Sequence, residues 1–195
     1  STTKRLTTEE FVRGFAAKIR LCHPERSVNG VEGSPLLVGV ITDPDSPEGQ
    51  TAIRLAREGV LDAVQFHGVN PPKVGELAEG TNKIGIPYYC AARVGAPEDF
   101  DYVATLRTCG EPRILLDAKV EGIPGGTGKT IPESLLREKA GDLPLWLAGG
   151  INPENVGEIV AKFRPELIDV SSDVEDAPRI KNAEKMRKLF EKKQK

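Results

Sequence analysis

Cysteine, histidine and tryptophan are scarce in this chain of 195 residues, at three, two and one. Cys22, Cys90 and Cys109 are odd in number and none stands in a CxxC pair. With only two histidines, far apart in sequence, the usual ligands of a zinc site are lacking. A basic excess is lacking too. Lys and Arg total 27 against 29 Asp and Glu, a net charge of −2, which argues against nucleic-acid binding because no surplus cation is available to cover phosphates. No apolar run approaches membrane-spanning length, and the first residues hold no signal-peptide core. The expectation is a reduced, cytoplasmic, metal-free protein with neither nucleic acid nor membrane as partner. Its length suits one domain, 1–195, with a sizeable core.

What is present is organised around Pro112 to Thr130, PRILLDAKVEGIPGGTGKT. Arg113 to Leu116 reads as a buried strand with Asp117 at its C-terminal end. A short loop leads into GGTGKT, and a helix follows from about Pro132 to Lys139. A carboxylate at a strand tip, followed by glycines that expose backbone N–H groups, sets acid–base chemistry beside an anion site. That pairing suits a small phosphorylated substrate. A nucleotide P-loop would need glycine at position 123, where Ile123 stands, and its strand would lead directly into glycines.

The rest of the chain alternates. Thr8 caps a first helix carrying Phe11, Val12, Phe15 and Ile19 at helical spacing, and Cys22 to Pro35 reads as a polar loop. Strands are expected at Leu36–Ile41, Asp62–Phe66, Ile84–Ala91, Arg113–Leu116, Leu145–Leu147 and Leu167–Val170. Helices are expected at Pro47–Glu58, Pro71–Glu79, Pro97–Arg107, Pro153–Lys162 (with Asn152 as N-cap) and Ala183–Lys192. Such alternation with short loops means parallel βα units. A doubly wound sheet and a (βα)8 TIM barrel both fit. The barrel is favoured because HG, DAK, AGG and SS all follow strand C-termini, where barrels build their active face. Only about six βα units and a leading helix are found, where eight would need roughly 250 residues.

Four motifs in order, VQFHG (Val64–Gly68), LLDAK with GGTGKT, LAGGINPENV (Leu147–Val156) and IDVSSDVE (Ile168–Glu175), make the chain similar to the phosphoribosylanthranilate isomerases of tryptophan biosynthesis. The resemblance implies a (βα)8 barrel that carries out an Amadori rearrangement without metal or organic cofactor. N-(5-phosphoribosyl)anthranilate would become 1-(o-carboxyphenylamino)-1-deoxyribulose 5-phosphate. By position, Asp117 matches the general acid, a role that calls for a carboxyl held protonated by partial burial. Arg5, in KRLTTEE, matches the arginine that binds the anthranilate carboxylate, although Leu6 replaces the usual aromatic neighbour. Phosphate is expected on the backbone of Gly126, Gly149, Gly150, Ser171 and Ser172. Asp169, on the inward pattern of the last strand, matches an assisting acid or serves as a structural aspartate. Gln65 and His67 line the site at the fourth strand of the family's barrel, or His67 is a satisfied structural histidine.

Two departures accompany the resemblance. Asp173 stands where the family has glycine in SSGVE, adding like charge beside a phosphate. The family's opening KICG strand, whose cysteine is the general base, has no counterpart here, so an N-terminal segment or a fused tryptophan-pathway domain is expected to complete the barrel. Cys90 reads as a buried, inert thiol in preference to a substitute base. The competing readings are a catalytically inactive phosphoribosyl-ligand binding or scaffold module, and an indole-glycerol-phosphate synthase. The second needs lysines at strand ends, where only Lys119 is suitably placed.

Overall fold

The computed structural model describes residues 8–22, 35–76, 86–108, 113–119, 130–141, 143–178 and 180–193. Arg5, Gly126, Lys129 and Cys109, and the expected loop around GGTGKT except Thr130, lie outside them. The chain divides into two compact units with the boundary between Tyr89 and Cys90.

In the first unit, helix α1 (Glu9–Cys22) buries Ala16 against Leu55, Val60 and Leu61. Thr8 caps it as expected, its Oγ1 accepting the Phe11 N–H at 3.2 Å. Strand β1 (Val38–Ile41) pairs in parallel with β2 (Ala63–His67). Between them, α2 (Pro47–Arg57) starts at Ser46, whose Oγ accepts from Gly49 N at 3.0 Å, with Pro47 in the first turn, where a missing N–H costs nothing. Gly39 lets α2 and β2 approach β1, since a Cβ there would lie 2.8 Å from Leu61 Cδ1. Glu9, Arg13, Arg54 and Glu58 form an exposed ion network that ties α1 to α2. The Arg54 and Arg13 hydrogen bonds pull the Glu9 carboxyl down to about 2. Residues 71–76 are helical.

Strand β3 (Tyr88–Val94) begins in the first unit and continues into the second. There it pairs in parallel with β4 (Ile114–Ala118), which pairs with β5 (Trp146–Ala148), which pairs with β6 (Leu167–Ile168). Helix α3 (Asp99–Thr108) buries Phe100, Val103 and Leu106, the spacing of one helical face. Helix α5 (Val156–Phe163) likewise buries Val156 and Ile159. No helix among the described residues is long and apolar enough to cross a membrane.

Two expectations need correction, and two details are added. Asp117 stands at the C-terminal end of its strand as expected, with β4 running one residue further, to Ala118. The helix expected over Pro132–Lys139 is one α-turn, α4 (Glu133–Leu135), continued by a π-helical turn over Leu136–Ala140. Leu135, Leu136 and Ala140 are all buried, and the wider turn keeps residues five apart on one side. Asn152 caps a turn and not the helix itself. Its Oδ1 accepts from Glu154 N and Asn155 N at 2.9 and 3.0 Å, and α5 begins only at Val156. The segment after the last parallel strand holds elements absent from the expectations above. A 3-10 turn (Ser172–Val174) enters a small antiparallel hairpin, β7 (Glu175–Ala177) and β8 (Ile180–Lys181), before the closing helix α6 (Ala183–Lys193).

Candidate active site

The C-terminal ends of β4, β5 and β6 assemble most of the expected groups within the second unit. Asp117 is half-buried and stands in register with Arg93 of β3 on one side and Ala148 of β5 on the other. Residues in register on neighbouring parallel strands share a face of the sheet, so Arg93, Asp117 and Ala148 form one row. Asp169 extends it. Its N–H donates to Leu147 O at 2.9 Å, one residue past the last ladder pair, Leu147–Ile168. The strand therefore ends at Ile168, and Asp169 is an exposed residue of the following loop.

Gly149 abuts the acid. A Cβ built on it would fall 2.6 Å from Ala118 N and 2.9 Å from Asp117 Oδ1, so only glycine admits both the strand and the carboxylate. Gly149 and Gly150 have φ of +83° and +65°, both in the left-handed region that favours glycine. Asn155 holds this turn from α5 by donating Nδ2–H to Gly150 O at 2.8 Å.

Ser171 is exposed and Ser172 half-buried, at the start of the 3-10 turn. Lys181 anchors that turn from the hairpin. Its ammonium lies 2.7 Å from Ser171 O and 3.0 Å from the buried Glu175 carboxylate. Asp173, the residue in place of the expected glycine, accepts from Ser172 Oγ at 3.4 Å. The hairpin gives the sequence reader little signal, because five strand residues interrupted by Pro178 carry no periodicity.

A second support lies at the start of α3. Asp99 Oδ2 accepts from Gly95 N and Ala96 N at 2.9 and 3.0 Å, and Oδ1 pairs with Lys119 Nζ at 2.7 Å. Burial alone would push the Asp99 carboxyl up, but the Lys119 ammonium and the two N–H groups outweigh it and hold the carboxyl below the usual range. Lys119 N also donates to Val94 O at 2.9 Å, and a side chain on Gly95 would meet Lys119 O at 2.6 Å. The turn after β3 is thus latched to the chain two residues beyond Asp117. Lys119 is employed there as a structural cation. The Asp that opens the helix, in APED, is the signal for this turn, but its lysine partner lies 20 residues away and is not visible in sequence.

Cys90 is fully buried. It is in register with Ile114 and three residues from Arg93, which puts it on the opposite face of the sheet from Asp117. Tyr102 of α3 lies near it, its hydroxyl pushed up to about 12 by burial and by the neighbouring thiol. The inert reading of this cysteine fits that environment.

Gln65 and His67 belong to the first unit. Gln65 is buried and donates Nε2–H to Tyr89 OH at 2.9 Å, and His67 Nδ1 lies 3.3 Å from Gln65 Oε1. They share a face of β2. Among the described residues no cluster of three His, Cys, Asp or Glu could hold a metal ion.

Comparison with known proteins gives the same answer from several directions. The model of the N-(5'phosphoribosyl)anthranilate (PRA) isomerase family matches residues 7–192. The N-(5'-phosphoribosyl)anthranilate isomerase of Symbiobacterium thermophilum is 35% identical over 184 residues, covering 83% of this chain and 78% of that protein. The phosphoribosyl anthranilate isomerase structure from Thermotoga maritima superposes with a TM-score of 0.75 at 27% identity, over 99% of this chain and 83% of that one. A further isomerase structure, solved with reduced 1-(o-carboxyphenylamino)-1-deoxyribulose 5-phosphate, has a TM-score of 0.70 at 24% identity, over 99% of this chain and 82% of that one, and shows likeness of fold. The six parallel strands with their helices are thus the TIM-barrel type of α/β fold, and the chain belongs to the phosphoribosylanthranilate isomerase family, an isomerase of tryptophan biosynthesis.

Proposed function

We propose that Asp117 is the general acid of the Amadori rearrangement that converts N-(5-phosphoribosyl)anthranilate to 1-(o-carboxyphenylamino)-1-deoxyribulose 5-phosphate in the cytoplasm. The observation that carries this reading is the close approach of Gly149 to its carboxylate, where an added Cβ would lie 2.9 Å from Oδ1. A phosphate seated on Gly149, Gly150, Ser171 and Ser172, with Gly126 from the preceding loop, would place the sugar ring beside Asp117. The carboxyl would give its proton to the furanose oxygen as the C1–O bond breaks, and the nitrogen lone pair would form the Schiff base. Loss of the C2 proton would then give the enolamine, which tautomerises to the ketone.

Asp169, on the same row two strands away, is about 10 Å from Asp117 and suits assistance near the anthranilate amino group. Within the first unit, Gln65 and His67 share a face of β2 and are assigned to substrate binding, and Arg5 is assigned to the anthranilate carboxylate. Cys90 faces the helices and is not assigned as the base. A cysteine delivered by an N-terminal segment or a fused pathway domain is the partner this reading calls for. Asp173 adds negative charge at the serine turn, and its bond with Ser172 sets it within that turn.

The test is Asp117→Asn, measured by turnover and by titration with the reduced product analogue. Turnover is expected to vanish while the analogue binds nearly as before. Wild-type turnover in the variant would remove the assignment.

A further inference from the structure

Tyr89 has no place in the scheme above, yet it ends a short chain of polar side chains that lies wholly within the first unit. Gln65 is 5% exposed, so both ends of its amide need partners. Its Nε2–H donates to Tyr89 OH at 2.9 Å. Its Oε1 is thereby turned the other way, 3.3 Å from His67 Nδ1. Alternation along β2 sets Gln65 and His67 on one face of the strand, while the fully buried Val64 and Phe66 occupy the other.

An amide carbonyl can only accept a hydrogen bond. The ring nitrogen that meets it must therefore carry a proton, and a neutral imidazole has just one to place. With that proton on Nδ1, Nε2 becomes the acceptor. A histidine ring in water favours the opposite arrangement, so here the neighbours set the tautomer. Control runs from Tyr89 through Gln65 to His67. The hydroxyl takes the N–H end of the amide, and the orientation of the amide decides which ring nitrogen is protonated.

We propose that Tyr89 and Gln65 are positioning residues that hold His67 as its Nδ1–H tautomer, so that the ring meets the substrate through Nε2 as a hydrogen-bond acceptor. The inference rests on the assignment of His67 to substrate binding and deepens it by naming the chemistry of the group received. A neutral Nε2 accepts from a sugar hydroxyl or an amine N–H, and has no proton to offer a carboxylate or a phosphate. Gln65 acts through His67, and Tyr89 acts through Gln65.

The experiment is nitrogen-15 NMR of the 195-residue chain labelled in its histidine rings, at about pH 8.5, where an ordinary histidine is neutral. The chain has two histidines, so His67→Gln identifies the signals. Protonated and unprotonated ring nitrogens resonate far apart, and the spectrum reads the tautomer directly. The wild type should show the proton on Nδ1. Tyr89→Phe frees the amide to turn over, and should move the tautomer ratio about tenfold toward Nε2–H, the worth of one hydrogen bond. Adding Gln65→Glu to Tyr89→Phe should restore Nδ1–H, because a carboxylate has no donor end to present. Saturation with reduced 1-(o-carboxyphenylamino)-1-deoxyribulose 5-phosphate should shift the wild-type Nε2 signal and leave the proton on Nδ1.

A wild-type ring protonated on Nε2 overturns the proposal, as does a ring that ignores Tyr89→Phe, and either result leaves the isomerase-site reading standing. An Nε2 signal unmoved by an analogue that calorimetry shows to be bound overturns it too, by placing His67 away from the ligand. An analogue that does not bind the wild-type chain at all overturns both readings. Tyr89→Phe removes one oxygen from a half-buried ring, and its melting temperature checks that the fold is kept. The wild-type spectra need no variant, so they can refute the proposal even if Tyr89→Phe fails to fold.

Discussion

At the scale of single residues the molecule depends on where it can do without a side chain. Gly149 is the sharpest case. Alanine there meets Ala118 and the Asp117 carboxylate below 3 Å and must also adopt a φ of +83°. Gly149→Ala is expected to cost about 1–3 kcal/mol in stability and to weaken the product analogue, measured by chemical denaturation and by titration. A variant as stable as wild type that bound the analogue equally well would show that the turn tolerates a methyl group. Both Asp117 and Gly149 were legible in the sequence, because an acid closing an apolar run and a pair of glycines after another are local patterns. Tyr89 was not. In YYCAARV the residues after it are buried on both faces of the sheet, so the strand shows no alternation that would mark one face as a site.

At the scale of elements, the latch between the start of α3 and the end of β4 makes a pH-dependent contribution with a definite sign. The folded protein holds the Asp99 carboxyl below its unfolded value. The stabilisation is therefore fully present above the ordinary Asp value, near 3.9, and is lost as pH falls through the depressed folded value. Asp99→Asn should be less stable than wild type at neutral pH, and the gap between their melting temperatures should close progressively below about pH 4. A gap constant from neutral to acid pH would mean that the carboxylate charge is irrelevant to the latch.

The joint between α1 and α2 separates two other kinds of interaction. Leu55 is 2% exposed within the Ala16 cluster, and Leu55→Ala should cost about 2–5 kcal/mol by denaturant unfolding. Arg54→Met, in the exposed ion network, should have a small effect that disappears at about 1 M salt, where charges more than about 3 Å apart are screened. The helices and their amphipathic spacing were legible. The partners of Asp99 and Arg54 were not, because each pairing joins residues that only the fold brings together. The π-helical turn at Leu136–Ala140 was missed for a related reason: the α period fits its sequence, and burial of Leu135, Leu136 and Ala140 together overrides that period.

At the scale of the whole molecule, the class of fold was legible from the alternation of strands and helices and from the regular fall of glycine, acid and serine after strand ends. Six strands expected from the sequence correspond to six parallel strands, each within a few residues of its expected place. The small hairpin after the serines escaped because it is too short to show a period. The order of the strand ends in the second unit has one more consequence. Neighbouring strands stand a fixed distance apart, about 4.8 Å, so the sheet is a gauge graduated in strand widths. On the proposed reading, a phosphate ester too long or too short to reach from the Gly149–Gly150 turn to β4 would bring its reacting oxygen level with a gap between strands instead of with Asp117. Such a site discriminates by length before it discriminates by chemical group.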